Sequence, residues 1–229
     1  MRNKQNHLNA SARRIRIGFA ASVCALAACV LPATALGAND TTQFSVIAGT
    51  LSLTSAPDYP DLPTLTLNGQ AQTKNAQMGN FTVADATGSG AGWNVTVQGN
   101  SGGGFSPVFK QYCFNGGSAC GSDAANSYVA GGAAFVANSL TLNSTGAGFT
   151  AQSGTTGTAP THSCNAGCFV DTASPVKLVS AATNAGMGTY QANTYSATSL
   201  ALNAPSTVKS LPANEVYRLD LVTTVNSGP

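Results

Sequence analysis

An antiparallel β-sandwich is the fold this sequence predicts, and three observations carry the prediction. Charged residues make up only 8% of the chain, too few to give helices a charged outer face, and no 3.6-residue apolar periodicity stands out. Short segments of strict alternation recur along its length. Between them lie stretches dense in Gly, Asn, Ser, Pro and Asp, the residues that make turns. Many short strands separated by such turns build sandwiches and barrels.

Taken in order, the predicted strands are 49–53 (GTLSL), 64–67 (TLTL), 81–85 (FTVAD), 93–97 (WNVTV), 139–143 (SLTLN), 176–180 (VKLVS) and 217–225 (YRLDLVTTV). The last is the longest. Tyr217, Leu219, Leu221, Thr223 and Val225 share one face, with Arg218, Asp220 and Thr224 opposite. The connecting stretches APDYPDLP, NGQ, ATGSGAG, GNSGGG and NAGMG read as turns and loops. Residues 99–135, with the first cysteine pair, read as an insertion or long loop. Nothing divides the chain after residue 38 into two domains, so the expectation is a single all-β domain with disulfide-bearing loops.

The first forty residues read differently. A basic head (Arg2, Lys4, Arg13, Arg14, Arg16) precedes an apolar run from Ile17 to Leu31, and small residues before Ala38 offer a cleavage site. Residues 1–37 are therefore expected to be a signal peptide and 38–229 the folded part, secreted to the outside or the cell wall. An alternative is the lipoprotein-like box Leu26–Cys29, which would leave Cys29 acylated. Its weakness is that the residues after Cys29 stay apolar. Without the leader, five basic residues (Lys74, Lys110, Lys177, Lys209, Arg218) face eight acidic ones, a net charge of −3. No basic patch exists for nucleic acid, and no later apolar run has membrane-spanning length.

An oxidising compartment makes disulfides the expected state of Cys113, Cys120, Cys164 and Cys168. The spacings favour two local loops, 113–120 and 164–168, each contributing about 2–2.5 kcal/mol. Cross-pairing remains the other connectivity. A zinc site with His162 lacks the usual Cys-x-x-Cys spacing, and no cofactor is expected.

Enzyme signatures fail one by one. Ser101 in GNSGG resembles a protease nucleophile loop, yet His162 follows it in the chain, the reverse of the chymotrypsin-like order. Ser174-Pro-Val-Lys177 and Ser206-Thr-Val-Lys209 match Ser-x-x-Lys without the companion motifs. Asp58 and Asp61 sit in proline-rich turn chemistry. The expectation is a non-catalytic protein.

The one tryptophan, Trp93, follows DATGSGAG and shares a strand face with Val95 and Val97. Two roles are open to it. It can plug the end of the core, burying about 150–250 Å² of ring surface, or it can present its face to a sugar. Its apolar companions favour the plug.

The stretch DATGSGAGWNVTV resembles the first signature of WxL-domain bacterial surface proteins, in which an acidic residue and a Gly-rich turn precede Trp-x-Leu. GTLSLTSAPDYPDL and NFTVADATGSGAGWNVTVQG resemble the first half of that domain, VKLVSAATNAGMGTY and YRLDLVTTVNSGP the second. The likeness spans most of 38–229 outside the cysteine-bearing stretches. Val95 replaces the first motif's Leu. The second Trp-x-Leu falls at Thr223-Thr224-Val225, where the aromatic is missing. The resemblance implies a β-sandwich attached non-covalently to the bacterial cell wall through peptidoglycan, with Trp93, Asp85 and Asn94 as wall-binding candidates. The alternative is a structural or adhesive subunit whose partners are other surface proteins.

Overall fold

A computed structural model describes residues 41–114 and 127–229; the predicted leader and Cys120 lie outside them. Residues 45–229 form one compact unit. Its strands are β1 (Leu51–Ser55), β2 (Gln72–Ala76), β3 (Phe81–Asp85), β4 (Trp93–Gly99), β5 (Lys110–Cys113), β6 (Ser127–Tyr128), β7 (Leu140–Leu142), β8 (Gly148–Ala151), β9 (Thr161–His162), β10 (Cys168–Phe169), β11 (Val176–Ala181), β12 (Gly188–Asn193), β13 (Leu200–Ala204), β14 (Glu215–Arg218) and β15 (Leu221–Ser227). The described residues contain no helix. The all-β expectation holds.

Among the described residues the strands form four antiparallel sheets, ordered β1-β3-β12-β8, β15-β4-β11-β9, β10-β7-β13-β2 and β14-β5-β6. The first two lie across a common core. Phe81 and Val83 of β3 and Ala192 of β12 join the same cluster as Trp93, Val95 and Val97 of β4 and Val179 and Ala181 of β11. One pair of their edges meets where Phe149 of β8 stacks on His162 of β9, with ring centroids 4.4 Å apart. The third sheet continues the first, because β2, β7 and β13 run into β3, β8 and β12 through short bends. Leu140, Leu142, Leu200 and Leu202 extend the core beneath it. The architecture is sandwich-like, with both layers bent.

Strict alternation decides the central strands. β3 buries Phe81, Val83 and Asp85, and β4 buries Trp93, Val95, Val97 and Gly99 while the residues between stay half-exposed. β11 breaks the rule at Leu178-Val179, both buried. A bulge between Lys177 and Val179 absorbs the extra residue and restores register to β4.

Three expectations need correction. Residues 64–67 alternate like a strand, yet they join no sheet among the described residues; Leu65 packs against the core while Leu67 stays 45% exposed. The stretch 99–135 is not merely a loop, since β5 and β6 lie in it and pair with β14. The segment 217–225 is two strands in different sheets, interrupted at Leu219-Asp220. Its apolar alternation survives the break, because Tyr217, Leu219, Leu221, Thr223 and Val225 are all half-buried. Asp220 stands at the change of sheet, where its carboxylate accepts hydrogen bonds from Arg218 Nη2 at 2.8 Å, from the Ser106 N–H at 3.1 Å and from the Tyr128 hydroxyl. It is a junction between layers and not the solvated residue that alternation predicts.

Candidate functional site

Trp93 stands at one end of β4, paired with Ala181 on one side and Ser227 on the other. Its ring has no accessible surface. The indole Nε1 donates a 3.0 Å hydrogen bond to the Gly186 carbonyl, so the polar edge of the ring is satisfied inside the protein. Gly186 has φ +72° and lies close against the Nε1 edge of the ring, where an added Cβ would stand 2.5 Å from Nε1. Gly92, at φ +76°, lets the chain enter β4 tight against the Ala181–Ala182 backbone, where an added Cβ would collide with the Ala181 carbonyl oxygen and stand 2.9 Å from that of Ala182. The glycines around Trp93 are thus the lid and the entry of a plug.

Asp85 ends β3 and is 5% exposed. Its Oδ1 accepts from the Thr87 N–H at 3.0 Å and the Thr87 hydroxyl at 2.7 Å, a local turn that starts the glycine-rich loop. Neither Trp93 nor Asp85 presents a surface to a wall polymer, because burial commits both to holding the end of the sandwich. Of the three wall-binding candidates, only Asn94 lies on the outer face. There its Nδ2 donates to the Gly228 carbonyl at 2.7 Å.

That outer face is the site the sequence did not single out. Because Trp93, Val95 and Val97 point inward, Asn94, Thr96 and Gln98 point out. Asn226 and Thr224 of β15 stand opposite Asn94 and Thr96 on one side, Ser180 and Lys177 of β11 on the other. The result is two cross-strand rows of amides and hydroxyls with one cation, Lys177, beside them. Reading register from β15 to β11 would have been needed to see it.

A second feature lies at the far end of β4. A groove of about 1050 Å³ opens where the layers splay, between the segment 59–67 and β14. Its floor is apolar, with Phe135, Leu140, Leu200 and Leu202 buried there. Leu67, Phe105 and Val216 line its mouth and stay 45%, 51% and 42% exposed. Tyr59 reaches Thr223 across one end at 3.5 Å, and burial holds its hydroxyl proton far above the ordinary range.

The enzyme signatures gain no support from geometry. Ser101 sits in an exposed glycine loop. His162 is engaged elsewhere, its Nε2 3.3 Å from the Gly148 carbonyl and its ring against Phe149 and Tyr195. Burial lowers its pKa. Ser174, Lys177, Ser206 and Lys209 are all exposed. Among the described residues no cluster of His, Cys, Asp or Glu is arranged to hold a metal ion, and no helix is long and apolar enough to cross a membrane. Cys164 and Cys168 form the expected local disulfide, with Cα atoms 5.2 Å apart. Cys113 is disulfide-bonded as well, while its expected partner Cys120 lies outside the described residues.

Compared with known protein families, with curated proteins and with solved structures, the chain matches none.

Proposed function

We propose that this protein is an exported, non-catalytic surface module that associates with the bacterial cell wall, binding the polymer through the outer face of the β15-β4-β11-β9 sheet. The observation that carries the reading is the in-register array of Asn94, Thr96, Asn226, Thr224, Ser180 and Lys177. Peptidoglycan offers acetamido groups, hydroxyls and carboxylates. A flat row of amides and hydroxyls matches the first two by hydrogen bonding, and a neighbouring ammonium matches the third. The resemblance of DATGSGAGWNVTV to the WxL signature supports the same class. On this reading Trp93 acts by keeping β4 in register, not by touching sugar.

The test is sedimentation with purified peptidoglycan. Thr224→Glu places a carboxylate at an exposed position in the middle of the face without touching the core, and binding should fall at least tenfold while melting is nearly unchanged. Undiminished sedimentation of that variant rejects the face as the binding site.

A second reading, a subunit of an extracellular protein assembly, is favoured by a different observation. Val46 and Ile47 are 82% and 91% exposed, and a groove with an apolar floor and a charged rim opens between residues 59–67 and β14.

A further inference from the structure

Register across the β15-β4-β11-β9 sheet lines up one row of side chains over all four strands. On the outer face Asn226 of β15 stands opposite Asn94 of β4, Asn94 opposite Ser180 of β11, and Ser180 opposite Thr161 of β9. The row is two amides followed by two hydroxyls, without a charge. The neighbouring row, Thr224, Thr96 and Lys177, crosses three strands and ends on a cation. Contacts within the first row are long: Asn226 Nδ2 reaches Asn94 Oδ1 at 3.4 Å and Thr96 Oγ1 at 3.5 Å, and the Thr161 hydroxyl donates to the Ser180 carbonyl at 3.3 Å. Hydrogen bonds of that length are weak, and the amide oxygens and hydroxyl lone pairs keep acceptor capacity.

At its β9 end the row meets a pocket of about 430 Å³, because Thr161 also lines that pocket. It opens where Phe149 of β8 stacks on His162 of β9. Thr145 and Asn165 bring it a hydroxyl and an amide, Phe149 and Pro160 apolar surface. Among the described residues no Lys, Arg, Asp or Glu lines it, and burial lowers the pKa of His162, which leaves the imidazole neutral near pH 7. A neutral row running into a neutral pocket fits the uncharged part of a wall polymer. Stem peptides of peptidoglycan carry carboxylates and ammonium groups, which neither row nor pocket pairs. The glycan is a chain of rings bearing hydroxyls and acetamido groups. Strands stand about 4.8 Å apart, so the three steps from β15 to β9 span about 14 Å. One such step is close to the advance of one ring along an extended β-linked glycan, so each strand meets one ring.

We propose that a wall glycan chain lies across the β-strands, along Asn226, Asn94, Ser180 and Thr161, and places an N-acetylated sugar in the pocket beyond β9. There the acetamido N–H donates to the Thr145 hydroxyl oxygen, its carbonyl accepts from the Asn165 amide, and its methyl packs on Phe149 and Pro160. A pocket of this size holds one small ligand group with a few placed polar partners. The proposal rests on the wall-binding reading above and adds the part of the polymer bound, its course over the sheet and a second site.

The probes are uncharged β-1,4-linked N-acetylglucosamine oligomers and a free stem peptide, titrated into the full chain by isothermal calorimetry. Affinity should rise at least tenfold from the dimer to the tetramer and then level off, and the stem peptide should not bind. Thr161→Glu, at an exposed position where row and pocket join, should bring the tetramer down to the affinity of the dimer with melting nearly unchanged. The length series needs no variant, so it decides the outcome if Thr161→Glu folds poorly. Equal affinity at every length, or tetramer binding indifferent to Thr161→Glu, overturns the course across the strands. Oligomers that fail to bind, while whole peptidoglycan sediments with the wild type and far less with Thr224→Glu, overturn the glycan proposal and leave the wall-binding face standing. Failure of both oligomers and peptidoglycan to bind overturns both.

Discussion

Trp93 has the indole buried, its N–H bonded to the Gly186 carbonyl and that glycine close against its Nε1 edge, and each of these contacts has a cost when broken. Trp93→Ala should lose about 3–5 kcal/mol from the transfer of the ring and the cavity left behind, read as a large fall in melting temperature. Phe should recover part of that, since it refills most of the volume but leaves the Gly186 carbonyl without its donor. A Trp93→Ala protein that melts like the wild type would show that the ring is not a plug. His162 makes a pH-dependent contribution. Burial lowers its folded pKa below the ordinary 6.5, so the unfolded chain binds the proton more readily. The stability from His162 is therefore complete above about pH 6.5 and is lost as pH falls below it. Denaturation at pH 7.5 and 5.5 should show this acid loss, and His162→Phe, which keeps the stacking on Phe149, should flatten it.

At the scale of the element, Asp220 joins what the sequence presents as one strand into two. The carboxylate holds Arg218, Ser106 and Tyr128, and the Arg218 guanidinium lies over the Tyr112 ring at 4.5 Å. Charge-assisted hydrogen bonds at a side chain only 10% exposed contribute more than a surface ion pair does. Asp220→Ala should destabilise by about 2–3 kcal/mol. The loss should be local, with hydrogen exchange accelerating in β5 and β14 while β3, β4 and β12 keep their protection. Uniform acceleration across all sheets would show that Asp220 does not act at the junction.

Across the whole molecule, every central ladder joins distant parts of the chain. Trp93 of β4 pairs with Ala181 and Ser227, and Tyr190 of β12 pairs with Val83 and Ala151. Loop closure must precede these contacts, so refolding with the disulfides intact should take milliseconds to seconds, not microseconds. Stopped-flow fluorescence of Trp93, which is buried only when β4 and the loop ending at Gly186 have met, should report this step. The Cys164–Cys168 link closes a five-residue loop and should contribute about 2 kcal/mol, measurable as a lower melting temperature for the double Cys→Ala variant.

Where side-chain period and burial agree, the sequence alone determined the outcome. FTVAD and WNVTV alternate without interruption and became β3 and β4, the latter with the expected face inward, because a period of two leaves one arrangement that buries Phe81, Val83, Trp93, Val95 and Val97 together. The local cysteine pair 164–168 was legible for a similar reason, since five residues leave little freedom. What depends on a distant partner was not legible. TLTL has a strand's pattern but meets no ladder, whereas QTKNA and LALNA, weaker patterns, pair as β2 and β13 because the bend after β12 brings them side by side. Alternation showed that Asn94 faces outward. That Asn226, Thr224, Ser180 and Lys177 stand beside it and Thr96 follows only from register between strands about 80 to 130 residues apart. Hydrophobic period is a property of a segment and is written locally; which segments become neighbours is decided by how the whole core closes.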